Sequence, residues 1–366
     1  MPYFKNRLPE YPVTEDMWDK IAKDPRPVMV YGMGNGADKL FARLEKYGRM
    51  PSEVFASDGF VRGHTYRGYK VISLSDVRAK YDDFIILLSF ASNRSEVMEM
   101  IKDIDSKNTL FIPDMPVAGE EYFDKNFYNA HYSEICEAYG ALCDEESKNA
   151  FSSIINYKLF GELKYLLQCY SDVSDIYNLL KEDITCAVDA GAYNGDTVRE
   201  LLSYRPQTKR IIAIEPDRRN FKKLSKYVDE AELSCEVIPI NAAVYSSDSA
   251  GHFSGSGNRN SSISSTVSYE SRDEDVKLVR IDSVSDSNVD YIKYDVEGAE
   301  HEALIGSRET IEKYKPDLLV SAYHRSEDVF SLINYLKKEH PFYSIYMRRT
   351  LCFPAWEIAL IAINEK

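Results

Sequence analysis

The residues with most chemistry to offer are acids and a histidine standing at the ends of apolar runs. The stretch Ala187-Val188-Asp189-Ala190-Gly191-Ala192-Tyr193-Asn194-Gly195-Asp196-Thr197 passes from an apolar run carrying a carboxylate into a glycine-bearing turn, after which Val198, Leu201 and Leu202 recur at helical spacing. This predicts a strand, a tight loop and a helix start. Glycine at 191 and 195 allows close backbone approach to a ligand and a positive φ without a Cβ clash, and the helix start offers unpaired N–H groups. Downstream, Arg210 to Asp217 is a second apolar run ending in Glu215, where a Rossmann-like sheet sets a carboxylate on ribose hydroxyls. The pair predicts a nucleoside site.

The first loop is Gly-x-x-x-Gly and lacks the Gly-x-Gly-x-x-Gly that brings a helix against a pyrophosphate, so a cofactor without phosphate fits better. S-adenosylmethionine meets that condition, with Asp189 near its cationic portion. Cys235 to Val244 ends in Asn241 and Ala242, a polar and a small residue between which a flat adenine could slide. Val289 to Gly298 ends in Asp295 and Glu297, and Asp317 to Arg325 carries His324. Asp189, Glu215, Asn241, Asp295 and His324 therefore all fall at strand C-termini, where open α/β sheets bind ligands. His324 is the expected general base, since it titrates near neutrality, and Asp295 is the rival. Asp295, Glu297 and His324 together could suit Mg²⁺ or a transition metal, but no Cys/His ligand spacing supports a tight site, and the expectation is metal-free.

Alternating strands and helices over 184–366 predict a mostly parallel sheet, closed by a terminal antiparallel hairpin within Tyr343–Tyr346 and Trp356–Ile363. Residues 1–112 read as a smaller Rossmann-like α/β domain. Its Gly32-x-Gly34-x-x-Ala37 turn with Asp58 is compatible with a nucleotide or dinucleotide, or with a module that holds no cofactor. Residues 113–183 are tyrosine-rich and strand-poor, with apolar residues at helical spacing from Phe151 through Leu167, and read as a helical linker or cap whose aromatics are core. The Ser-, Gly- and Asn-rich stretch 246–273 reads as a loop or β-excursion.

The chain's 366 residues suit two or three domains, and a formal charge of −14 opposes a long phosphate-backbone surface, so nucleic acid is not an expected partner. Six cysteines without a Cys-x-x-Cys pair read as reduced. With no apolar leader and no run of about 18 apolar residues, no membrane association is expected, and a cytoplasmic location is.

The ordered set Val188 to Thr197, Ala213-Ile-Glu215-Pro-Asp217, Asn241-Ala-Ala-Val244, Ile292-Lys-Tyr-Asp295-Val-Glu297-Gly-Ala-Glu300 and Ser321-Ala-Tyr-His324 resembles the FkbM family of S-adenosylmethionine-dependent methyltransferases over roughly residues 184–366. The resemblance implies methyl transfer to a hydroxyl of a small acceptor, such as a sugar, a polyketide or another secondary product. The expected cofactor contacts are Asp189, Gly191, Ala192, Asn194, Gly195, Asp196, Thr197, Glu215, Asn241, Ala242, Asp295 and Glu297. Two other functions stay open: a nucleotide-sugar or dinucleotide enzyme run by the Gly32 loop, and a cofactor-binding assembly protein without turnover.

Overall fold

The structure, a computed structural model, describes residues 7–254, 262–263, 273–285 and 287–365. The first half runs α1 (Met17–Lys23), β1 (Val28–Tyr31), α2 (Asn35–Lys46), β2 (Glu53–Ala56), a short hairpin β3 (Thr65–Tyr66) and β4 (Tyr69–Lys70), β5 (Ile72–Ser73), α3 (Leu74–Lys80), β6 (Ile85–Leu88), α4 (Ser95–Lys107) and β7 (Thr109–Phe111). Every residue of β1 and β6 is buried, as expected for parallel strands covered on both faces. The five-stranded sheet has the order β5-β2-β1-β6-β7, all parallel. Its strand order reverses between β1 and β6, which opens a crevice at their C-terminal ends.

Helices α5 (Lys125–Ala130), α6 (Tyr132–Ala141), α7 (Glu145–Phe160), α8 (Leu163–Leu166) and α9 (Val173–Leu179) follow. Asp144 caps α7 by accepting from the Ser147 amide, and the helix is buried at Phe151, Ile154, Ile155, Tyr157 and Leu159. The periodicity that runs through Leu167 in sequence is broken in two. Gly161 ends α7 at φ 64°, and a Cβ there would meet the Met17 sulfur at 2.2 Å.

The second half contains β8 (Cys186–Ala190), α10 (Asp196–Tyr204), β9 (Arg210–Ile214), α11 (Arg218–Glu230), β10 (Glu236–Ile240), β11 (Ala243–Val244), β12 (Ser249–Ser254), β13 (Ser262–Ile263), β14 (Asp273–Val279), α12 (Ile281–Val284), β15 (Tyr291–Tyr294), α13 (Glu300–Ile305), α14 (Arg308–Tyr314), β16 (Asp317–Ser321), α15 (Asp328–Glu339), β17 (Ser344–Arg349) and β18 (Ile358–Ile363). The main sheet has the order β10-β9-β8-β15-β16-β18-β17, parallel from β10 to β16. The last two strands form the expected terminal antiparallel hairpin, docked so that β18 lies between β16 and β17 and is antiparallel to both. The strand order reverses between β8 and β15, which opens the second crevice of the molecule. Within the Ser-, Gly- and Asn-rich stretch, β12, β13 and the start of β14 are strands of a separate four-stranded sheet, and residues 255–261 and 264–272 lie outside the described residues.

One apolar core joins the two sheets, passing from Met29, Phe55 and Ile86 through Phe151, Ile154 and Tyr157 to Val188, Ile292 and Leu360. The Lys158 ammonium of α7 pairs with Asp114, just after β7, at 2.7 Å, and both side chains are almost wholly buried. Removing one member of such a pair strands the other charge, at a cost of about 3–5 kcal/mol. Urea unfolding of Lys158→Met should show a loss of that order, and Lys158→Met/Asp114→Leu should recover most of it. A single variant as stable as the parent would mean that the pair does not hold the sheets together.

Candidate active site

A cavity of about 370 Å³ opens at the C-terminal ends of β8, β9 and β15, the crevice where the strand order of the larger sheet reverses. From the first loop it is lined by Gly191, Tyr193, Asp196 and Thr197, from the end of β9 by Glu215, and from the stretch after β10 by Ala242. The opposite wall carries Lys293, Asp295 and Glu297. Of the expected contacts, Asp189, Ala192, Asn194, Gly195, Asn241 and His324 are not among the lining residues; they stand behind it or beside it.

The loop after β8 is fixed by its own packing. The amides of Gly191 and Ala192 both donate to the Ile214 carbonyl, at 2.9 and 3.0 Å. Gly191 has φ 89°, and a Cβ there would lie 1.9 Å from the Asp295 carbonyl oxygen. A Cβ on Gly195, which has φ 85°, would lie 2.6 Å from the Tyr227 ring. Both glycines thus take the positive φ the sequence predicted, and neighbouring protein also requires them to lack a side chain. Asn194 is held by Arg199 at 3.1 Å, and Asn241 donates to the carbonyls of Glu215 and Pro216, at 2.8 and 3.1 Å, which shapes the turn after β9.

Glu215 is the best-organised acid of the pocket. One carboxylate oxygen accepts from the Tyr193 amide and the other from the Asp217 amide, each at 2.9 Å. Burial nevertheless pushes its pKa up to about 8, against the pull of those two amides. Asp189 accepts from the Thr197 hydroxyl and lies 3.7 Å from Lys293.

Lys293 is the functional residue that sequence reading passed over. It sits in central strand β15 directly opposite Asp189 of β8, with its ammonium 3.4 Å from Asp295. Burial alone would lower its pKa, but Asp295 and Asp189 outweigh burial and hold it above the usual lysine value. The signal was available: a lysine inside an apolar central strand needs a carboxylate on the neighbouring strand.

Residues 189–342 match the sequence model of the methyltransferase FkbM domain. This segment is an FkbM methyltransferase domain. The whole chain is similar in fold to the crystal structure of methyltransferase FkbM from Methylobacillus flagellatus KT, at 20% identity and a TM-score of 0.69, over 98% of this chain and 94% of that one. Weaker likenesses include precorrin-6y C5,15-methyltransferase from Geobacter metallireducens GS-15 (11% identity, TM-score 0.35, 52% of this chain and 87% of that one). M. capricolum TrmK, in complex with S-adenosyl-homocysteine, is another (12% identity, TM-score 0.33, 53% and 67%). A search of curated proteins gives no match.

The FkbM domain's most specific run, Asp295 to Glu300 with Tyr323-His324, folds into a cluster of acids around one buried imidazole. His324 Nδ1 lies 2.9 Å from Glu300, and its Nε2 lies 3.5 Å from Asp295 and 3.6 Å from Glu297. Glu300, the second residue the sequence reading left without a role, also accepts from the amides of Val296 and Gly298, at 2.9 and 3.3 Å, and so ties the turn that presents Glu297. Asp295, Glu300 and His324 are also, among the described residues, a group whose donor atoms approach within 4.8 Å of one another, as metal ligands would. Burial works against a charged imidazole, but Glu300, Asp295 and Glu297 together push the pKa of His324 up to about 10. The group expected to be a free base near neutrality is therefore a protonated cation set behind the cavity wall. Burial pushes Asp295 upward, but Lys293, His324 and the Ser321 hydroxyl together outweigh it, and its pKa stays below the usual carboxylate range. Glu297 is pushed by burial up to about 8.

These shifts give the ligand-free protein a defined pH response. His324 binds its proton more tightly when folded, so its contribution is complete below 6.5 and is lost as pH rises through about 10. Glu215 and Glu297 likewise favour the proton in the fold, and their contribution fades from 4.5 through about 8. Asp295 has the opposite sign, but it acts below 3.8. The melting temperature should therefore fall as pH is raised from about 5 to about 10. A flat or rising profile in calorimetry would contradict the charge states assigned here.

Proposed function

We propose that this protein transfers the methyl group of S-adenosylmethionine to a hydroxyl of a small acceptor. The observation that carries the reading is Glu215: a strand-end carboxylate oriented by two backbone amides, facing a cavity of about 370 Å³ in an FkbM methyltransferase domain. Cavities of roughly 300–1,000 Å³ suit ligands of this size. The residues fit the cofactor. Glu215 would take the ribose hydroxyls, Ala242 would leave room for the adenine, and Asp196 and Thr197 at the start of α10 would meet the amino-acid tail. The cofactor supplies an electrophilic methyl on a sulfonium, which needs an in-line oxygen and a dry site rather than strong acid–base help.

On the opposite wall Asp295, kept ionised by Lys293 and His324, accepts a hydrogen bond from the acceptor hydroxyl and aims its oxygen. Glu297, on the same wall and with a proton affinity near neutrality, takes the proton as the new bond forms. His324 is a positioning residue that holds both carboxylates.

Two measurements test this. Glu215→Gln removes charge-assisted hydrogen bonds worth about 1.5–3 kcal/mol, so titration calorimetry should show S-adenosylmethionine affinity falling ten- to a hundredfold. The parent's affinity should also rise with pH through about 8, as Glu215 ionises, and the variant's should not. Equal affinity in parent and variant at pH 9 would defeat the ribose assignment. For the proton step, a screen of hydroxylated compounds with radiolabelled cofactor supplies an acceptor. Turnover should then rise with pH to a plateau above about 8, and Glu297→Gln should lower kcat about 10²–10⁴-fold with cofactor affinity intact. If Glu297→Gln keeps parental kcat while Asp295→Asn abolishes it, Asp295 is the base.

A further inference from the structure

The smaller sheet has a cavity of its own, about 310 Å³, at its reversal between β1 and β6. It is lined by Asn35, Gly36 and Lys39 of α2 and by Phe90, Val117 and Trp356. Val117 and Trp356 also line the methyl-transfer cavity, so the two spaces are neighbours with these side chains at the joint.

The chemistry of the α2 side is cationic. Lys39 Nζ donates to the Pro116 carbonyl at 2.5 Å and more weakly to that of Val117 at 3.4 Å. Carbonyls leave its charge uncompensated, and among the described residues no carboxylate pairs with it. Burial accordingly pushes its pKa down. A half-buried lysine without an acid is costly unless an anion completes it. Beside it, α2 begins at Gly34 with no side-chain cap, so the amides of its first turn have no intrahelical acceptor. Asp58, the acid a nucleotide site in this half would turn to a ribose, is engaged elsewhere: it accepts from the Leu74 amide at 3.1 Å and the Ser75 hydroxyl at 2.5 Å, at the start of α3. The cavity therefore offers positive charge without the ribose acid of a dinucleotide site. Toward Trp356 its wall is aromatic.

We propose that this cavity binds the phosphate end of the methyl acceptor, so that the acceptor is a hydroxyl compound carried on a phosphate or diphosphate handle, seated across both cavities past Val117 and Trp356. The handle rests on Lys39 and the first turn of α2, and the hydroxyl-bearing unit reaches Asp295 and Glu297. This rests on the methyl-transfer reading above, but its test does not.

Titration calorimetry of the full chain with inorganic pyrophosphate, UDP and ADP reads the site directly. Each should bind saturably, with affinity at least tenfold weaker in Lys39→Met and restored to within a few-fold in Lys39→Arg. Unchanged S-adenosylmethionine affinity in Lys39→Met shows that the variant is folded. Tighter binding of a nucleoside diphosphate than of pyrophosphate identifies the handle as a nucleotide, and equal binding identifies it as a bare diphosphate. No saturation at millimolar ligand, or equal affinity in parent and Lys39→Met, overturns the proposal. Pyrophosphate binding that survives in a protein with no affinity for S-adenosylmethionine would sink the methyl-transfer reading alone.

Discussion

A lysine ammonium in the middle of a parallel sheet has to be neutralised where it stands, and the geometry of this pocket follows from that requirement. Lys293 lies between Asp189 on the neighbouring strand and Asp295 at the end of its own. Asp189 in turn holds Thr197, which fixes the start of α10. Asp295 is shared with His324, which is shared with Glu297 and Glu300. Two cations and four carboxylates thus form one connected set, in which no member can be removed without leaving a partner's charge in a low-dielectric interior. The set joins the loop after β8 to the wall at the end of β15, so the two sides of the cavity are tied to each other by charge.

Around this set the glycines and caps do quieter work. Gly191 lets the Asp295 carbonyl approach β8, so the end of β15 and the loop after β8 can share one rim. Glu300, at the start of α13, ties down the turn in which Glu297 takes φ 56°, a conformation that side-chain-bearing residues seldom adopt and that a surrounding network must maintain. The network thereby keeps a strained residue at the cavity wall.

Much of this architecture could be read from the chain. Apolar runs ending in acids placed β8, β9 and β15, and one ending in His324 placed β16, because a strand covered on both faces admits few polar residues, and those it admits gather at its C-terminal end. Glu215, Asp295 and Glu297 were found that way. Periodicity could not show what depends on partners distant in sequence. The proton on His324 depends on three carboxylates, of which sequence reading had weighed only two. Asp58 looks like a ribose ligand until α3 folds back to claim it. The insertion of β18 between β16 and β17 is likewise a tertiary choice, since both strands are apolar enough to occupy either place.

The loop between β17 and β18 forms part of the wall of both cavities, through Leu351 and Trp356 in one and Pro354 and Trp356 in the other. Its Phe353 exchanges a pair of backbone hydrogen bonds with Ser92, in the loop after β6, at 2.8 and 3.0 Å. A loop stitched in this way to the other sheet cannot swing as an independent flap. Widening the mouth while the stitch holds means moving the β6 loop with it, so the smaller sheet acts as the frame of the door.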